Sequence, residues 1–103
     1  MHRRTKATSI PKKVKDAVWE RDNGRCVICK WYPANPCCHI LSRAHSGRGI
    51  ETNIVTLCDK HHRMFDNGTR EERDHIEELI TAYMKIQYGE DWKKEDQPYR
   101  KWE

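Results

Sequence analysis

All five cysteines of this 103-residue chain lie between Cys26 and Cys58, and four of its six histidines, 39, 45, 61 and 62, fall in or just beyond that stretch. Cys26-x-x-Cys29 and Cys58-x-x-His61 are two close pairs of soft or borderline ligands with 28 residues between them. That is the layout by which two turns of chain grip one tetrahedral zinc ion, and Zn²⁺ accepts a Cys3His set. A lone Cys-x-x-Cys would also fit a redox dithiol. Here no βαβ pattern surrounds it, and the second half-site decides for a structural metal. Cys38, His39, Asn53, His62 and Asp66 stand outside those four ligands.

Composition says why such a staple would matter. Only 36% of the residues are hydrophobic, with a single Phe and a mean hydropathy of −1.07, so one small domain of this length has a thin core. The odd cysteine number, the pairing with histidines and the lack of an apolar amino-terminal run point to thiolate ligands in a reducing, cytoplasmic compartment. No run approaches the ~20 apolar residues of a membrane span. The net charge of +4 is unevenly spread: residues 1–63 hold 13 Lys/Arg against 5 Asp/Glu, and residues 64–103 hold 7 against 11. The half that holds the ligands is therefore the basic half, which favours a polyanion such as DNA or RNA as partner.

The elements that must position these side chains follow from pattern. Residues 1–9 read as a basic, flexible terminus. A helix is expected from there, with Ser9 as N-cap, Pro11 in the first turn, an apolar stripe of Val14, Ala17 and Val18, and Trp19 as a core anchor, until Asn23-Gly24 stops it. Residues 37–41 read as a strand, 42–51 as a polar loop and 52–57 as the return strand of a hairpin. In a strand Cys38 and His39 face opposite ways. Cys58 to about Phe65 is expected as a short helix, on which His62 and Asp66 share a face while His61 points about 100° away from His62. Adjacent histidines can thus serve different metals. Thr69-x-x-Glu72 is a capping box that opens a packing helix along Ile76, Leu79, Ile80, Tyr83 and Ile86 or Gln87 to Gly89. The charged tail 90–103 has Trp92, Tyr99 and Trp102 as its apolar anchors and reads as partly ordered or loose.

Hairpin, short metal helix and the order His39, Asn53, His62 together resemble an HNH endonuclease of the zinc-stapled kind found in phages and bacteria. The resemblance runs from about Ile10 to Gly68 and rests on 13 residues between His39 and Asn53, eight between Asn53 and His62, and the two zinc half-sites. It implies an α+β fold, a ββα-metal (His-Me finger) nuclease domain at 10–89 with its core at 26–68, flanking helices and a structural zinc site. It further implies hydrolysis of DNA phosphodiesters to 5′-phosphate and 3′-hydroxyl ends. His39 would be the general base, Asn53 would support it through backbone geometry, and His62 would hold one divalent cation, Mg²⁺ or Mn²⁺.

Two positions depart from the family pattern. Where relatives place Asp, Glu or His before the base, this chain has Cys38, a soft thiol that suits Mg²⁺ poorly. Asp66, one turn after His62, is the expected second ligand to the catalytic cation, with Cys38 as an occasional third. His61 replaces the commoner fourth cysteine. Arg43, His45, Arg48, Lys60 and Arg63 are the candidate phosphate contacts. By family association, phage packaging proteins are a further expected partner, and the setting would be a bacterial or phage-infected cell. A zinc module that binds nucleic acid without cutting it, and a ribonuclease, are the competing readings.

Overall fold

The computed structural model describes residues 3–100, and its α+β architecture is organised on one antiparallel hairpin. Strand β1 (Asn35–His39) pairs with β2 (Ile54–Leu57), setting Cys38 opposite Val55 and His39 opposite Ile54, with a register shift between Asn35 and Cys38. All four residues of β2 are buried, as its β-branched run requires of a strand covered on both sides. Around the hairpin lie α1 (Arg3–Thr8), α2 (Lys12–Arg21), α3 (Asp59–Asn67) and α4 (Arg70–Tyr88). Helix α2 packs on both strands, while α3 and α4 pack on each other. Cys38, Val55, Leu57, Ile76, Ile80 and Met84 form the centre of the core, each at most 1% exposed. Among the described residues, no helix is long and apolar enough to cross a membrane.

A buried carboxylate joins three of these elements. Asp22, just past α2, accepts hydrogen bonds from Arg21 Nε (2.7 Å), the Thr56 amide in β2 (3.0 Å) and the Tyr83 hydroxyl in α4 (2.5 Å). Arg21 in turn donates to the Ile54 and Glu51 carbonyls, both at 2.8 Å. Burial and the bond to Asp22 push the Tyr83 phenol up. A buried charge of this kind holds only because its partners are complete.

Several sequence expectations shift. Residues 3–8, placed in a flexible terminus, form helix α1, and Thr8 is buried. Ser9 does not cap α2: its amide and hydroxyl both donate to the Thr5 carbonyl at the end of α1, and Pro11 takes the N-cap position without a side-chain cap. Trp19 is 38% exposed and is no core anchor; on the helix only Val18 is buried, and the Trp19 ring lies over Gly24 instead. Strand β1 begins and ends two residues before the expected 37–41, and the first residues of the expected second strand form a tight turn, Glu51–Asn53. In α4 the buried stripe is Ile76, Ile80 and Met84 at strict i+4 spacing, leaving Leu79 and Ile86 outside. The capping box at Thr69 and Glu72 is present with both reciprocal bonds.

The tail packs on the loop between the strands. Trp92 is buried and its indole N–H donates to the Thr52 carbonyl at 2.9 Å, while Tyr99 N donates to Ser46 O at 2.6 Å and Arg48 N to Gln97 O at 3.1 Å. Trp102 lies outside the described residues.

Candidate metal centre and adjoining cleft

The zinc half-sites meet. Cys26, Cys29, Cys58 and His61 each offer one ligand atom, and all four atoms lie within 4.8 Å of one another. Cys29 Sγ and Cys58 Sγ are 3.7 Å apart, Cys26 Sγ and His61 Nδ1 3.7 Å, and Cys58 Sγ and His61 Nδ1 3.2 Å. A tetrahedron with Zn–S bonds of about 2.3 Å has edges of about 3.8 Å, so this spacing fits a shared zinc ion and excludes a disulfide, whose S–S bond is about 2.05 Å. Local backbone makes each half-site. Cys26 N donates to Trp31 O and Lys30 N to Cys26 O, curling the knuckle, and Val27 N ties it to Thr56 O of β2. Cys58 is the N-cap of α3, and its sulfur accepts from His61 N, which puts the ring three residues on beside the thiol.

Electrostatics favour ligand forms at two of the four. Burial works to raise the Cys26 thiol, but amide donation from Cys29, Cys58 and Ile28 outweighs it and holds the thiol below its ordinary value. Burial, with nearby Lys60, lowers His61, so its imidazole is neutral near pH 7. Thiolate and neutral imidazole are the states a metal needs.

The second group of residues is open. His39, half-buried at the end of β1, brings Nε2 to 2.7 Å from the Thr8 carbonyl. A carbonyl only accepts, so Nε2 carries the hydrogen, and in the neutral ring Nδ1 is the atom left to take a proton. Burial lowers the His39 pKa, opposed by the Thr8 bond. The ring lines a cleft of about 610 Å³ with Ser42, His45, Asp66, Arg70 and Arg73. In α3, His62 Nε2 and Asp66 Oδ2 approach to 3.2 Å, as the four-residue spacing requires.

Asn53 is fully buried and reaches across the mouth of the hairpin loop. Its Oδ1 accepts from Leu41 N at 2.8 Å, and its Nδ2 donates to Leu41 O at 3.1 Å and Arg48 O at 2.9 Å. It therefore holds the chain on the far side of His39, two residues beyond the ring.

Of the remaining sequence candidates, Arg43, His45, Lys60 and Arg63 are exposed, whereas Arg48 is half-buried against the tail. Arg43 Nε donates to Thr8 Oγ1, and His45 Nδ1 is 2.8 Å from Ser42 Oγ. Cys38 is fully buried in the core on the opposite strand face from His39, and burial pushes its thiol well up. This environment is that of a packing residue, against the expectation of an occasional ligand. Sequence reasoning missed Thr8, which acts through a backbone carbonyl and so has no side-chain signature. It also missed Arg70 and Arg73, whose helical spacing marked only a packing helix. Comparison of the chain with protein-family models, with curated proteins and with solved structures returns no match.

Proposed function

We propose that this chain is a metal-dependent DNA endonuclease of the ββα-metal kind, built on β1, β2 and α3 and stapled by zinc at Cys26, Cys29, Cys58 and His61. The observation that carries the reading is the His39 ring, its Nε2–H engaged by Thr8, in a cleft shared with Asp66. His39 Nδ1 takes a proton from the water that attacks the phosphodiester, the bond to the 3′ oxygen breaks, and a solvent water protonates that oxygen, leaving 5′-phosphate and 3′-hydroxyl ends. Held by Thr8 and flanked by the Asn53 clamp, the ring keeps one tautomer and one orientation. Exposed Arg43 and Arg63 neutralise backbone phosphates around the cleft, and His45 is placed to hydrogen-bond them.

Asp66 offers a hard carboxylate oxygen and His62 a borderline imidazole nitrogen, a mixed pair that suits Mn²⁺ as well as Mg²⁺. Their 3.2 Å separation is near the ~3.0 Å edge of an octahedron with metal–ligand distances of about 2.1 Å, and Mg²⁺ usually keeps one or two protein ligands with water and phosphate filling the rest. When bound there, Mg²⁺ or Mn²⁺ supplies positive charge to the scissile phosphate and the leaving oxygen. The test is conversion of supercoiled plasmid to nicked or linear forms by zinc-replete protein with added Mg²⁺ or Mn²⁺. Cleavage of RNA alone would make the chain a ribonuclease, and binding of DNA without cleavage in either metal would reduce it to a zinc module that binds nucleic acid.

A further inference from the structure

Trp31 is 64% exposed in a chain poor in apolar residues, yet its backbone is fixed. The Cys26 amide donates to the Trp31 carbonyl at 2.9 Å, so the metal knuckle itself presents the indole. Beside it lies a mainly apolar pocket of about 300 Å³, lined by Trp31, Pro33 and Ala34, by Cys29 and Cys58 of the metal cluster, and by Asn35, Asp59 and Lys60. Asp59 also lines the depression that holds His62, Arg63 and Asp66, and Asp66 lines the His39 cleft. Three hollows thus run in series along α3. From Asp59 to Asp66 is seven residues, about 10 Å of helix.

We propose that the Trp31 pocket receives an unpaired base of a single DNA strand laid across the His62–Asp66 pair, which makes the substrate single-stranded or locally unpaired DNA. This rests on the nuclease reading of that pair. An aromatic face beside cationic side chains is the arrangement that holds a single strand, the ring stacking on the base and the cations taking the phosphates. Lys60 and Arg63 stand exposed on α3 between the pocket and the cleft. The one carboxylate at the pocket, Asp59, is engaged by Asn35 Nδ2 at 3.3 Å. A base inside a duplex has no free face for the indole, so the pocket selects an unpaired one.

The test is fluorescence anisotropy with a labelled oligothymidylate and a duplex of the same length, in Mg²⁺, on a His39→Ala background so that nothing is cut. Trp31→Ala should weaken single-strand binding about 5- to 100-fold, Trp31→Phe should keep most of it, and duplex affinity should change less than about twofold. Zinc content and melting should match the parent because the indole is exposed. Unchanged single-strand affinity in Trp31→Ala would overturn the proposal and leave the pocket to a protein partner. Equal loss for single strand and duplex would overturn it as well. Cleavage by the parent is scored separately on the labelled single strand and on plasmid: no cleavage of either alongside Trp31-dependent binding rejects the nuclease reading and keeps the base pocket.

Discussion

The Cys3His cluster and the His39 cleft are built from overlapping stretches of chain, and they differ in what closes them. In the cluster four side chains converge within 4.8 Å, each set by a turn or a helix cap, and the chain alone supplies every ligand. At the cleft Asp66 pairs with His62 of the neighbouring depression, His39 stands apart on the strand, and its hydrogen-bond partner comes from α1, 31 residues away. A metal site that holds a fold completes itself from the chain, and under the proposed function the cleft is left open to admit substrate. Removing a part from the first should therefore cost the protein, and removing a part from the second should cost only the reaction.

The largest effect expected is at the cluster. Cys58→Ser should lose zinc and fold together, because structural zinc supplies about 10–16 kcal/mol in small finger peptides and a domain's net stability is about 5–15 kcal/mol. Zinc content measured beside thermal melting checks this; a zinc-free Cys58→Ser protein that melts like the parent would erase the contrast. On the cleft side, His39→Ala should lower plasmid cleavage by roughly 10²–10⁴-fold with zinc and melting intact. Full activity in that variant would remove His39 from the chemistry. Asp66→Ala comes next: it should raise the Mg²⁺ or Mn²⁺ concentration needed for half-maximal cleavage about tenfold, with no change in zinc. Cys38→Ser sharpens the point, since a buried hydroxyl should lower stability by about 1–3 kcal/mol and leave the cation requirement alone. A metal titration of both variants decides between them.

The smallest effect concerns protons. Burial first, with Arg43 and His62 adding, holds His39 below its ordinary 6.5, against the Thr8 bond and Asp66. The neutral base therefore survives mild acid, and cleavage at saturating cation should fall on the acid side with a midpoint below 6.5. The same depression makes His39's share of stability present above about 6.5 and lost as pH falls through the lowered folded value. His39→Gln should then melt with less dependence on pH below 6.5 than the parent, and an acid limb centred above 6.5 would contradict the assignment.

How much of this was legible in the sequence divides along physical lines. The Cys3His cluster was readable because its spacing is short and each pair is local: a knuckle turn and a helix cap need no distant partner. The His62–Asp66 pair was readable for the same reason, being one turn of helix. The α4 cap was written in Thr69 and Glu72, but the buried face was not, because apolar residues at 76, 79, 80, 83 and 84 allow neighbouring stripes and packing against the hairpin picks one. Trp19 misled since size favours burial, yet helix phase turned Val18 inward. The Thr8 carbonyl and the tail's grip on residues 46–52 are backbone contacts between remote segments, and such contacts leave no pattern in side-chain types.

The Asp22 carboxylate has a consequence for how the molecule comes together. Its bond to the Thr56 amide spans 34 residues, and the approach of Cys26 to His61 spans 35. Both therefore close practically one loop, the segment that contains the whole hairpin. Chain-entropy loss on closure depends only weakly on loop length and is incurred once. Whichever contact forms first brings the ends of the other within reach, so metal capture and seating of the carboxylate under β2 become a single folding step, and a chelator should loosen the Tyr83 hydroxyl as well as the thiolates.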